Sequence, residues 1–124
     1  MKYTLLMSVV GTAKLNDVPS GCDFIEAVHD MASDVDCGDF RFIDNDILDA
    51  HEENSAIVTI YALARRPIEL KGDYGKKCTL HDIPNKTWNK DYLAIENAID
   101  RMDGGQLEEW NIDTTCSSIL KEEA

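Results

Sequence analysis

The chain has 124 residues, a net charge of −12 and a sequence pI near 4.4. Its length fits a single globular domain over residues 1–124, and its excess of carboxylates argues against a direct nucleic-acid ligand, because phosphates would be repelled. No apolar stretch approaches the ~20 residues that a membrane-spanning helix needs. We therefore expect a cytoplasmic protein with reduced cysteines and no membrane contact.

The first third of the chain predicts a strand followed by a helix. Residues 3–10 are rich in large apolar and β-branched side chains, which favours a strand over a secretory signal. Ser20 has the character of a helix N-cap, and helical spacing of apolar residues predicts a helix over residues 22–36 that ends before Gly38. The apolar face of this helix comprises Phe24, Ile25, Val28, Met31, Ala32 and Val35.

The next segment predicts a hairpin. Residues 40–42 begin a second strand, but Asp44, Asn45 and Asp46 are poor strand formers and could mark a bulge or a turn. Residues 56–64 (AIVTIYALA) are apolar at nearly every position, which predicts a central strand covered on both faces.

The remaining residues change in character. Residues 65–90 carry a net charge of +4 and contain several Gly and Pro, which predicts a basic loop insertion with one short strand at residues 68–71. Residues 91–102 predict a second helix capped by Asn89, and residues 107–112 a strand or short helix, followed by a fraying tail. The predicted fold class is α+β, with a β-α-β-β core and a mainly antiparallel sheet packed against helices.

Acidic residues are concentrated in one segment. Residues 17–53 contain twelve carboxylates and a single base, Arg41. Such clustering steers association with basic partners, although a solvated helix face kept for solubility is an alternative explanation. We expect the partner-binding surface to comprise Asp30, Asp34, Asp36, Asp39, Asp44, Asp46, Asp49, Glu52 and Glu53.

Candidate chemistry elsewhere is sparse. Cys78 and His81 have the spacing of half a zinc site, which Cys37 or His29 could complete, but no second paired motif follows. A calcium loop at Asp44 fails because its fifth position lacks an oxygen ligand. No nucleophile or phosphate-loop motif occurs. We therefore expect no enzyme activity, catalytic residue, metal or cofactor.

Three further side chains admit a packing explanation. Cys37 fits a small core residue. Trp110 flanks the second helix and is expected to pack in the core. Trp88 follows the basic segment, so an exposed anchor in a protein contact is a second possibility for it.

The first half of the chain, MKYTLLMSVVGTAKL, DFIEAVHDMASDV and CGDFRFIDNDILDA, resembles the strand, helix and acidic hairpin layout of many small bacteriophage proteins. These include inhibitors of host defence such as anti-CRISPR proteins, several of which are acidic and occupy nucleic-acid-binding surfaces. The resemblance implies a partner in host defence and transfers no individual residue role.

Two functions from different classes follow. The first is an acidic inhibitor that mimics nucleic acid and occupies a basic, nucleic-acid-binding surface of a partner protein. The second is a structural or housekeeping interaction module whose charge serves solubility. Either function leaves the oligomeric state open.

Overall fold

A computed structural model describes residues 1–19, 23–51, 54–84 and 89–122. Within these ranges six strands form one sheet, accompanied by two α-helices and a short 3-10 helix at Leu80–Asp82. The elements are β1 (Lys2–Leu15), α1 (Phe24–Ser33), β2 (Arg41–His51), β3 (Ser55–Glu69), β4 (Lys77–Thr79), α2 (Lys90–Asp100), β5 (Glu109–Ile112) and β6 (Ser118–Lys121). The strand order is β2-β3-β1-β6-β4, and β5 also pairs with β1. This mainly antiparallel arrangement confirms the predicted α+β class.

Strand β1 has one buried face and one open face. Every odd-numbered residue from Tyr3 to Leu15 is buried, whereas Thr4, Leu6 and the following even-numbered residues stay partly accessible. This period of two is the pattern of a strand covered on one side only.

Strand β3 lies between β2 and β1, as its apolar sequence predicted, but the expected coverage of both faces is wrong. Its even-numbered residues from Ala56 to Ala64 are buried, whereas Tyr61 and Leu63 are 36% and 47% exposed. Apolar side chains on the open face hid this alternation from the sequence.

No turn interrupts β2, which runs from Arg41 to His51 through Asp44, Asn45 and Asp46. Poor strand formers are tolerated here because β2 is the terminal strand of the order and these side chains do not enter the core.

The predicted basic loop over residues 65–90 is partly wrong. Strand β3 continues to Glu69, and β4 contains Cys78, which is therefore a strand residue. His81 follows in the 3-10 helix. Lys86 and Trp88 lie outside the described residues. Helix α2 confirms its prediction, and the side chain of Asn89 accepts hydrogen bonds from the amides of Asp91 and Tyr92.

The contacts of the chain cluster into two compact units. Unit 1 comprises Met1–Ser8, Leu63–Met102 and Ile112–Ala124, and unit 2 comprises Val9–Ala62 and Asp103–Asn111.

In unit 1, the expected fraying tail is instead a strand. β6 pairs antiparallel with both β1 and β4, so that Leu5 and Cys78 both lie opposite Ile119. The amide of Ser8 donates to Oγ of the fully buried Ser117 at 2.8 Å. The sequence Ser-Ile-Leu-Lys was too short a pattern to distinguish from a loop.

A buried carboxylate organises the loop after β3 in unit 1. Asp91 is 7% exposed and accepts hydrogen bonds from the amides of Lys71 (2.7 Å) and Gly72 (2.8 Å) and from the hydroxyl of Tyr74 (2.7 Å). Burial and the contact with Asp91 raise the pKa of Tyr74 to about 12. The hydroxyl of Tyr3 accepts from the amide of Tyr74, which ties this loop to β1.

In unit 2, α1 is shorter than predicted and buries Val28 and Ala32, whereas Ile25, expected on the apolar face, is 53% exposed. The helix ends at Ser33, and its predicted cap Ser20 lies outside the described residues. Gly38 does not terminate the helix, which is capped by Asp34. Its φ of +62° instead forms a tight turn further along the chain.

Candidate protein-binding site

The two carboxylates expected on α1 lie at its accessible surface in unit 2. Asp30 and Asp34 are both exposed, and the carbonyl of Asp30 accepts a hydrogen bond from the Ser33 hydroxyl at 2.7 Å. Because Val28 and Ala32 occupy the buried side of this helix, the carboxylates point away from the core.

Asp36 and Asp39 are also exposed, but their polar atoms hold two turns together. Oδ1 of Asp36 accepts from the Gly38 amide at 2.8 Å, and the Asp36 amide donates to Oε1 of Gln106 at 2.9 Å. Oδ2 of Asp39 accepts from the Asp103 amide at 2.8 Å. Both residues therefore stabilise turns, which limits their use in binding a partner protein.

Strand β2 carries Asp44, Asp46 and Asp49, all exposed. Asp44 and Asp46 share one face of the strand because they are two residues apart in a stretch where burial alternates. Oδ2 of Asp46 accepts a hydrogen bond from the hydroxyl of Tyr61 on β3 at 2.9 Å. This hydrogen bond, together with the negative charge of Asp46, raises the pKa of Tyr61.

Helix α1 packs against β2. Nδ1 of His29 and Oδ1 of Asn45 lie 2.7 Å apart, which joins the two elements at their accessible side. The expected carboxylates near α1 and those on β2 are thus in the same unit, and the helix and the strand contact each other. Glu52 and Glu53 lie outside the described residues.

Apolar side chains accompany the carboxylates on β2. Ile43 is 51% exposed and Leu48 is 64% exposed. Sequence reasoning found the carboxylates but missed these residues and Tyr61 as parts of the same surface. Tyr61 belongs to the alternation of β3, which can be interpreted only when the buried face is known, whereas the alternation of burial in β2 breaks at Ile43 and after Leu48.

A wide cleft of about 560 Å³ lies beside α1 in unit 2. Its lining includes Lys14, Asp34 and Gln106 together with apolar side chains. One cation and one carboxylate in an open cleft do not form a recognisable catalytic arrangement. The cleft therefore forms a concave part of the acidic surface and does not indicate a reaction.

Cys37 and Cys78 show no sign of activation. Burial raises the pKa of the Cys37 thiol and, together with the charge of Asp82, that of the Cys78 thiol. A raised pKa disfavours the nucleophilic thiolate. Across the described ranges, no three His, Cys, Asp or Glu residues gather in a group that could hold a metal ion.

Neither α-helix in the described part of the chain combines the length and apolar character of a membrane-spanning helix. Comparison of the chain with protein-family models, with curated proteins and with solved structures finds no match. The arguments about function therefore depend on the geometry and charge of this surface.

Proposed function

We propose that this protein is a non-enzymatic inhibitor that uses its acidic surface to occupy a basic, nucleic-acid-binding surface of a partner protein. The supporting observation is the exposure of Asp30 on α1, of Asp34 directly after this helix, and of Asp44 and Asp46 on β2. Among the described residues, none of these four carboxylates has a cation within ion-pair distance. Their charge is therefore available to a partner.

The physical basis is replacement of phosphates by carboxylates. A protein that binds nucleic acid presents lysine and arginine side chains to a phosphate backbone, and neutralising them releases counterions. Carboxylates on a rigid helix and strand can occupy the same cations, and their clustered field accelerates encounter. A cytoplasmic partner in host defence, as the bacteriophage resemblance implies, fits this chemistry.

Charge reversal tests the proposal. A basic partner is first captured from the native host with the purified protein, and its affinity is measured by calorimetry. The test variant replaces three exposed carboxylates by lysine, Asp34, Asp44 and Asp46. Asp36 is left unchanged because its carboxylate fixes a turn. We expect at least a hundredfold loss of affinity, about 3 kcal/mol, because each pair becomes repulsive.

A matched control separates local charge from net charge. The control also replaces three exposed carboxylates by lysine, in this case Glu69, Asp82 and Asp100 of unit 1. Both variants have the same net charge, so affinity lost only in the test variant supports the proposal. Equal affinities in the two variants would favour an interaction module whose charge serves solubility.

A further inference from the structure

Strand β2 has one edge that pairs with no other strand among the described residues. It is the terminal strand of the order, and it is eleven residues long. An edge strand presents backbone N–H and C=O groups that can pair with another chain. Such pairing, called β-augmentation, is a common way in which proteins bind extended peptides.

The hydrogen bonding of Asn45 identifies which backbone groups face this edge. Its amide donates to Oδ1 of Asp44 at 2.8 Å. The Asn45 amide is thus hydrogen-bonded to the side chain of its neighbour. It is directed to the open edge of β2, because amides on the opposite side of the strand face β3. Burial alternates from Asp44 to Leu48, and residues at two-residue spacing within that stretch share this direction, so the amide of Ile47 also faces outward.

Charge argues against a second copy of this chain as the occupant of the edge. Antiparallel pairing of two β2 strands about Asn45 would place Asp44 of one copy opposite Asp46 of the other. Like charges directly across a strand pair are destabilising. The same two carboxylates attract lysine or arginine at the facing positions of a different chain.

We propose that a basic, extended segment of the partner adds to β2 as an additional strand. Basic residues of that segment lie beside Asp44 and Asp46, and apolar residues alternate with them, one of which lies beside Ile47. The incoming strand draws the Asp44 carboxylate into an ion pair, which releases the Asn45 amide for a backbone hydrogen bond. This inference rests on the proposed function and specifies how the partner is held.

Two peptides of equal charge test the inference. The probe is a labelled peptide of alternating lysine and valine, and its competitor has the same sequence with every valine amide N-methylated. Binding of each to the full chain is followed by fluorescence anisotropy at low salt. We expect the methylated peptide to bind about tenfold more weakly, because it lacks the donors that pair with β2.

A pair of protein variants gives an independent measurement. Ile47→Pro removes an outward amide at a position where an edge strand tolerates proline, and Ile47→Ala removes the same side chain but keeps the amide. We expect Ile47→Pro to bind the probe about tenfold more weakly than Ile47→Ala. Circular dichroism establishes that both variants retain the sheet; if the proline variant does not, the peptide comparison decides.

The outcomes distinguish the two proposals. If neither peptide binds, the acidic surface does not recognise basic chains and the proposed function fails. Equal binding of both peptides would leave the acidic surface as a binding site but overturn strand addition. Weaker binding of the methylated peptide supports both.

Discussion

Gly38 and Gly105 interlock two turns of unit 2. Both have φ of +62°, and a Cβ on Gly105 would lie 2.5 Å from the carbonyl oxygen of Asp36 and 2.5 Å from the amide nitrogen of Gly38. A Cβ on Gly38 would overlap the carbonyl oxygen of Asp103. The segment before β2 is therefore fixed in part by close approach of the two backbones.

Gly38→Ala should destabilise the protein because it adds overlap to an unfavourable backbone conformation. Gly75 is the matched control, since its φ is +77° and a Cβ there would meet nothing within 4 Å. We expect Gly75→Ala to cost about 1–2 kcal/mol from the conformation alone and Gly38→Ala about 1–3 kcal/mol more from overlap. Urea unfolding measures the stability of both variants. Equal costs would show that the two turns can move apart without a loss of stability.

Asp91→Asn should destabilise the loop after β3. An amide cannot accept at both positions of the carboxylate, so at least one of the partners at Lys71, Gly72 and Tyr74 loses its hydrogen bond. We expect a cost of about 2–4 kcal/mol in thermal or urea unfolding. Asp100→Asn, at the exposed end of the same helix, is the control and should change stability by less than about 0.5 kcal/mol.

The pH dependence of stability should report the same carboxylate. Burial acts to raise the pKa of Asp91, but hydrogen bonds from the Lys71 amide, the Tyr74 hydroxyl and the Gly72 amide outweigh it and hold the pKa below 3.8. A depressed folded pKa contributes stability above the unfolded pKa and loses it as pH falls through the folded value. Asp91→Asn should therefore lose less stability than the wild type below about pH 4. Parallel acid unfolding curves would contradict this assignment.

Ile60→Asp tests the buried face of β3. Ile60 has no exposed surface, so aspartate there would bury an unpaired charge at a cost of several kcal/mol, about 3–5. Leu63→Asp places the same charge on the open face and should cost about 1 kcal/mol or less. Similar melting temperatures for the two variants would mean that the two faces of β3 have been assigned incorrectly.

Metal content is a further expected outcome. Protein purified in reductant should contain no stoichiometric zinc, and a chelator should leave its melting temperature unchanged. Elemental analysis provides the measurement. One zinc per chain would contradict the expectation and make Cys78 and His81 the first ligands to replace.

The sequence was most informative where a local pattern determines structure. The spacing of Val28 and Ala32 located α1, and Asn89 correctly marked the start of α2. The open face of β3 could not be predicted, because the strand has apolar side chains on both faces. Tyr61 and Leu63 lie on the open face, and only the sheet shows which face is covered. β6 was missed because four residues gain strand structure only from neighbours far along the chain.

The candidate site was predictable in composition but not in arrangement. Counting charges identified Asp44 and Asp46, but could not show that Asp36 and Asp39 participate in turns. That distinction depends on Gln106 and Asp103, which are distant in sequence and show no pattern that links them to the acidic segment. The outward amide of Asn45 likewise required the strand order.

The position of β6 between β1 and β4 has a consequence for folding kinetics. Thr4 and Glu122, which are hydrogen-bonded at 3.4 Å, are separated by 118 positions in the sequence. Closing such a distance requires a large loss of chain entropy before native contacts compensate for it, so topologies of this kind fold slowly. Until β6 inserts, β4 and the part of β1 at Tyr3–Leu6 lack their shared partner and stay vulnerable to aggregation. Synthesis of the chain therefore passes through an interval in which chaperone protection would have its greatest effect.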